Sequence, residues 1–195
     1  MLLRVDSLAA THAVAARIAS MARVGDIIVL AGEMGAGKTA FAQGFGAALG
    51  VTDPITSPTF TLVHSYPIGD RRTLHHADLY RLDSMADVEE LALHELAEFD
   101  GIVLVEWGDV AASGLGGHLE VRLEHDDEDT DEHDDEDTVD DTTDDTAEDT
   151  AGDVDVDDGA EIALSERRLI DINPSGNRWA SRWNQLDSLL AAYRC

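Results

Sequence analysis

Cysteine is all but missing from these 195 residues: Cys195 is the only one. A single thiol excludes an intrachain disulfide and any zinc site built on cysteines. This fits a reducing compartment, and a cytoplasmic location is expected. No apolar run is long enough to span a membrane, so no membrane association is expected. The Ala- and Arg-rich start could be mistaken for a targeting peptide. It reads instead as a helix of the fold, with Ser7 as its cap and Leu8, Ala15, Ile18 and Ala22 on one face. Basic residues are scarce too, 13 Lys and Arg against 41 Asp and Glu, for a net charge of −28. That argues against direct binding to phosphate backbones, which need cationic surface.

The deficit of positive charge is local. Residues 126–158 hold 20 Asp and Glu and no Lys or Arg. Outside them, 21 acids face 13 bases, a net of about −8 and an ordinary solubility charge. The stretch is rich in Asp and Thr and nearly free of bulky apolar side chains. It cannot bury enough surface to offset its ordering entropy, so it reads as a disordered loop. Asp153, Asp155 and Asp157 imitate the start of a calcium loop. Asp158 and Leu164 then stand where such a loop needs Gly and Glu, which excludes that type. The remainder has the length and apolar share of one domain. The expected organisation is a single domain over 1–195 with an acidic insertion at 125–159.

Asp26 to Ala31 is short, apolar and β-branched, and reads as a buried parallel strand. Gly32-Glu-Met-Gly-Ala-Gly-Lys-Thr39 follows, then a helix from Lys38 to Leu49 that Gly50 stops. The spacing is that of a phosphate-binding loop. Its glycines let successive N–H groups point into one concavity, and the helix aims its positive end at the same place. Lys38 can reach the outer phosphates of a nucleotide, and the Thr39 hydroxyl can ligate Mg²⁺. The expected nucleotide-binding set is Gly32, Gly35, Ala36, Gly37, Lys38, Thr39 and Ala40. The alternative is a tight turn with a solvent-facing lysine.

Such a site needs an acid at the tip of a neighbouring strand to hold the metal. Glu106 ends the apolar run Gly101 to Val105, and strand ends face the ligand crevice of open α/β sheets. The alternative is a simple strand-ending acid. Asp78 closes another expected strand, Thr73 to Tyr80. It could orient a water or serve the metal shell, or pair structurally with Arg81. Thr59, in the loop Ser57-Pro-Thr-Phe60, could sense a terminal phosphate or simply form a turn. Trp107 could stack on a ligand or pack in the core. His75 and His76 are neighbours on one strand and face opposite sides, which opposes a shared metal site.

The remaining expected elements are a strand at Phe60 to Tyr66 and a turn through Pro67, Gly69 and Asp70. A helix should run from the Ser84/Asp87 capping box to Phe99 on an apolar face of Met85, Val88, Ala92, Leu96 and Phe99. Strands are expected at His118 to Glu124 and Arg167 to Ile172. A final helix, Arg178 to Tyr193, should bury Trp179, Trp183, Leu186, Leu190 and Tyr193 on one face.

Four motifs in this order, the glycine loop, Ser57-Pro-Thr-Phe-Thr-Leu62, His76-Ala-Asp-Leu-Tyr-Arg-Leu82 and Val105-Glu-Trp107, resemble the TsaE family. These are small ATPases of bacterial tRNA threonylcarbamoyladenosine synthesis. The resemblance implies a three-layer α/β P-loop NTPase fold with a mixed, mostly parallel sheet. It implies ATP and Mg²⁺ as cofactors, with Lys38 on the phosphates and Thr39 and Glu106 at the metal. Asp78, with Lys38, would matter for catalysis, Thr59 would lie in a switch-like loop, and Trp107 would stand near the nucleotide. An arginine of the second hairpin strand, Arg167 or Arg168, could touch nucleotide. The implied partner is a heterodimer of two related proteins that transfers threonylcarbamoyl to adenosine in tRNA, so tRNA is met only indirectly. Ala40 and Gly108 depart from the family's usual Thr and Pro, and the acidic stretch is foreign to it. The rival readings are a small-molecule kinase on the same loop and a binding module that uses ATP only structurally. A GTPase would need a guanine-reading motif of the Asn-Lys-x-Asp type, which is not present.

Overall fold

The computed structural model describes residues 1–82, 84–108, 114–126 and 166–195. The acidic insertion therefore lies almost wholly outside the described residues. Seven strands form one sheet in the order β1-β7-β6-β2-β5-β4-β3. They are β1 (Leu2–Val5), β2 (Ile27–Ala31), β3 (Val63–Ile68), β4 (Arg72–Asp78), β5 (Gly101–Glu106), β6 (Leu119–His125) and β7 (Arg168–Pro174). The β2–β5, β2–β6 and β4–β5 pairs are parallel, while β1–β7, β6–β7 and β3–β4 are antiparallel. Only β3 and β7 thus run against the other five, a mixed and mostly parallel sheet.

Side chains alternate along the central strands and divide the core in two. Ile28, Leu30, Leu74, Ile102 and Leu104 face α1 (Leu8–Met21), α2 (Lys38–Leu49) and the C-terminal helices. Ile27, Val29, Ala77, Val103 and Val105 face α3 (Met85–Glu90) and α4 (Leu93–Glu98). Apolar residues on both faces explain why β2 and β5 read as unbroken apolar runs. Helices on both faces of a largely parallel sheet make three layers, as expected for this fold class.

Several elements differ from expectation for visible reasons. Strand β1 has too few residues for a period to show; it is held at the edge by its ladder with β7. In α1 the buried stripe is Thr11, Val14, Ala15, Ile18, Ala19 and Met21, while Leu8 is exposed. Strand β3 begins at Val63, not Phe60, because residues 58–62 close turns through the Leu62 N–H and Pro58 carbonyl. Pro67 lies inside β3, which is an edge strand and tolerates its missing N–H. The Ser84/Asp87 capping box is present. The helix behind it breaks at Ala92 (φ 50°), and the second half buries Leu93 and Ala97 while Phe99 is 86% exposed.

The last segment is also broken, into α5 (Asn177–Ala180), α6 (Trp183–Leu189) and a 3₁₀ turn at Ala191–Tyr193. Trp179, Leu186 and Leu190 are its buried anchors. Between α5 and α6, Arg182 forks onto Asp26 with Nη1–Oδ2 at 2.7 Å and Nη2–Oδ1 at 2.8 Å, both side chains buried. The Arg23 N–H also donates to Asp26, at 2.8 Å. This pair ties the C-terminal helices to the entry of β2, the strand that carries the glycine loop. Among the described residues, no helix is long and apolar enough to cross a membrane.

Candidate functional site

Strands β2, β4 and β5 are parallel, so their carboxyl ends arrive at the same edge of the sheet. Residues just past those ends meet in one crevice, as expected for open α/β sheets. There the loop after β2, Asp78 of β4 and Glu106 of β5 border a cleft of about 320 Å³. Gly35, Gly37, Lys38, Thr39, Ala40, Thr59 and Trp107 border it as well. The sites predicted from sequence are thus brought together. Gly32 and Ala36 belong to the loop but do not border the cleft.

The loop's path demands glycine. Gly32 has φ 129°, and a Cβ there would overlap the carbonyl oxygen of Leu123 on β6. Gly37, at φ 103°, caps α2 with no side chain, so the first amides of that helix open toward the cleft. Lys38 is buried, and its Nζ donates to the Gly32 and Glu33 carbonyls at 2.8 and 2.7 Å. The ammonium also stands 3.8 Å from the centre of the Trp107 ring. Trp107 follows β5 with φ 60°, an unusual conformation for a bulky residue, held by its N–H bond to the Leu30 carbonyl at 3.0 Å. Its indole meets the Tyr80 ring at 5.0 Å, so Trp107 forms a wall of the cleft and is only partly buried.

Glu106 is buried and accepts from the Thr39 hydroxyl at 3.1 Å through Oε1 and 3.4 Å through Oε2. A hydroxyl and a carboxylate set side by side are hard oxygen donors, the type Mg²⁺ takes. Register places Asp78 directly beside Glu106. Asp78 is not paired with Arg81; that guanidinium lies over the exposed Phe60 ring at 4.3 Å. Instead Asp78 Oδ2 accepts from Ser57 at 3.0 Å and from Thr59 at 2.5 Å, and Oδ1 accepts from the Tyr80 N–H at 2.8 Å. The two hydroxyls also touch each other at 2.7 Å. The loop 57–62 is therefore clasped to the end of β4.

Three described residues of this arrangement, Ser57, Tyr80 and His76, escaped the sequence reading. Ser57 shares Asp78 with Thr59, which only the folded loop reveals. His76 is wholly buried and its Nε2 lies 3.0 Å from Glu106 Oε1. The period of two from Asp78 could have placed His76 on the cleft's face, but the partner strand's register was not legible. His75 faces the other side, bonded through Nδ1 to Ser65 at 2.8 Å, and burial pushes its imidazole below the ordinary histidine value. Arg168 of β7 reaches the glycine loop from outside: its Nε donates to the Ala36 carbonyl at 3.0 Å.

A glycine loop between a buried strand and a helix, with acids at adjacent strand ends, defines a P-loop nucleotide-binding fold. A crystal structure of Bacillus subtilis YdiB superposes on this chain with a TM-score of 0.65, at 25% identity, over 96% of this chain and 94% of that one. The family model described as threonylcarbamoyl adenosine biosynthesis protein TsaE matches residues 5–134. The chain belongs to the TsaE family. It is 39% identical over 117 residues to the Streptomyces coelicolor tRNA threonylcarbamoyladenosine biosynthesis protein TsaE, covering 58% of this chain and 78% of that protein. It is 42% identical over 97 residues to the Bacillus subtilis protein of the same name, covering 50% and 60%.

Proposed function

We propose that this chain hydrolyses ATP with Mg²⁺, and that the turnover supports the two-protein complex that transfers threonylcarbamoyl to adenosine in tRNA. The observation that carries the first part is the convergence of Lys38, Thr39, Glu106 and Asp78 on one cleft at the mouth of a glycine loop. The second part rests on the relatives, whose names tie them to tRNA threonylcarbamoyladenosine biosynthesis.

The residues present fit a nucleotide triphosphate and its metal. Gly32, Gly35 and Gly37 have positive φ, the backbone form that turns amides into a shared concavity for phosphate oxygens. Gly35, Gly37, Lys38, Thr39 and Ala40 border the cleft and would supply those amides, while the Ala36 N–H donates to the Glu33 carbonyl at 3.2 Å. Lys38 already bridges two loop carbonyls and can exchange them for outer phosphate oxygens. Thr39 and Glu106 would hold Mg²⁺, which when bound neutralises charge that develops on the phosphates. Asp78, next to Glu106, would orient the attacking water or its proton path. Thr59 hangs on Asp78, so a change at the terminal phosphate could release or tighten the 57–62 loop, a switch-like step. Trp107 with Tyr80 forms the flat wall against which the nucleotide would rest. We also take the chain to be one domain, with the acidic stretch as an insertion between β6 and β7.

The test is nucleotide binding and phosphate release with purified chain, alone and with the two-protein transferase. Mg²⁺-dependent release of phosphate from ATP that rises when the partners are added supports the proposal. Transfer of phosphate to a small molecule would favour a kinase. Binding that persists with no turnover in the complete system would favour a binding module.

A further inference from the structure

Strand β4 is a place where a buried polar residue needs a reason. Leu74, His76 and Asp78 share the face toward α2, and in the parallel ladder His76 stands beside Leu104 while Asp78 stands beside Glu106. His76 thus sits one pleat deeper than the cleft, fully buried and flanked by apolar neighbours of the larger core cluster. Its imidazole leans along the strand direction and reaches diagonally to Glu106, with Nε2 and Oε1 at 3.0 Å. Among the described residues its Nδ1 has no hydrogen-bond partner. The ring hydrogen therefore belongs on Nε2, where an acceptor waits, because a buried N–H without one is costly. An apolar side chain of similar size would fill the space without leaving a nitrogen unsatisfied. The polar ring earns its place only through the bond to Glu106.

That bond divides the two carboxylate oxygens. Among the described residues, Oε1 accepts from both His76 and Thr39, whereas Oε2 has only the longer 3.4 Å contact with Thr39. A carboxylate anchored through one oxygen cannot spin about its terminal bond, and the other oxygen keeps a fixed direction beside the Thr39 hydroxyl. We propose that His76 is a positioning residue that orients the Glu106 carboxylate for metal binding. The inference rests on the proposed role of Glu106 as a magnesium ligand. Partners that orient a ligand from behind typically change metal affinity by about 10- to 100-fold when removed.

The experiment uses the full chain and a fluorescent ADP analogue, titrated first in EDTA and then with increasing free Mg²⁺. Mn²⁺ binding to the ADP complex, followed by electron paramagnetic resonance, is a second readout independent of turnover. Three variants are compared: His76→Leu, which keeps bulk without a donor; His76→Gln, whose amide can reach the place of Nε2; and His76→Asn, whose shorter amide cannot. Expected is a rise of about 10-fold in half-saturating Mg²⁺ and in the Mn²⁺ dissociation constant for Leu and Asn. Gln should lie within about threefold of wild type, on the same scale. Affinity for the analogue in EDTA should be unchanged in all three. A His76→Leu chain with the wild-type metal response would overturn the proposal, as would Gln and Asn variants that respond alike. Should the Leu variant fail to fold, seen in its melting curve, the Gln and Asn pair decides alone.

Glu106→Ala, run in parallel, separates the two levels of the argument. If that variant keeps the wild-type metal response, Glu106 is no ligand and both readings fail. If it loses the response while the His76 variants keep it, only the role of His76 is wrong.

Discussion

Thr39 and Glu106 lie 67 residues apart in the chain, yet their side chains meet at 3.1 Å across the ends of α2 and β5. One is the first hydroxyl of the helix behind the glycine loop and the other closes a central strand. The contact exists because β2 and β5 are adjacent and parallel, with Leu30 beside Glu106. Replacing Glu106 by Ala should therefore separate metal from nucleotide. Mg²⁺-dependent hydrolysis should fall by roughly 100-fold, the scale of losing a preorganised electrostatic contact. Nucleotide affinity in EDTA should change little. Equal losses in a binding titration and a phosphate-release assay would mean a folding defect.

Asp78→Asn should slow hydrolysis by roughly 100-fold or more, the range for loss of a positioned proton acceptor, while ATP still binds. Asn keeps the shape and can still accept from the Tyr80 N–H, so the end of β4 should hold. Its amide would face the Ser57 and Thr59 hydroxyls, which can accept as well as donate. Single-turnover rates at saturating ATP test this directly. Lost affinity with an unchanged rate would contradict the catalytic role.

Most of this cleft was legible in the sequence because its parts carry local signatures. The glycine loop, the strand before it and the helix stop at Gly50 are each fixed by residues within a few positions. Glu106 was legible as an acid that closes an apolar run, and Asp78 as an acid at the end of an expected strand. What was hidden depends on pairing between distant segments. The bond between His76 and Glu106 needs the β4–β5 register, and the clasp of Ser57 on Asp78 needs the loop's fold. The breaks at Ala92 and Ser181 were hidden for another reason. Capping and period favoured continuous helices there, and tertiary packing of Leu93 and of the Arg182 fork overrode them.

Arg182→Ala should destabilise the fold by about 3–5 kcal/mol, because it leaves Asp26 buried without its cation. The loss also frees the start of β2, far from the cleft. Urea melts of the two chains measure it. A midpoint within error of wild type would show that water or Arg178 replaces the fork.

The acidic stretch should be dispensable for the fold. Strands β6 and β7 pair up to His125 opposite Arg168, and the Asp126 N–H donates to the Arg167 carbonyl at 3.4 Å. The described hairpin thus holds His125 and Asp126, so replacement should begin at 127 rather than 125. A short Gly/Ser turn in place of 127–165 should keep melting temperature and ATP hydrolysis near wild type. Closure entropy favours the shorter loop by about 0.6 kcal/mol per halving, and clustered like charge is removed. A fall of more than about 10 °C, well beyond what 1 kcal/mol produces in a domain this size, would refute the insertion reading. A selective, salt-sensitive loss of partner binding would instead assign the stretch a role as a polyanion facing a basic surface.

Lys38 joins the glycine loop to the Trp107 wall, and the proposed function depends on its charge more than on any other single group. The decisive measurement is phosphate release from Mg²⁺-ATP by the complete system, this chain with the two-protein transferase and tRNA, scored alongside the yield of threonylcarbamoyladenosine over many turnovers. With wild-type chain both should proceed; with Lys38→Ala, phosphate release should drop by roughly 100-fold or more and product should stop near one turnover of the transferase. Wild-type phosphate release and repeated turnover with the Lys38→Ala chain would contradict the account.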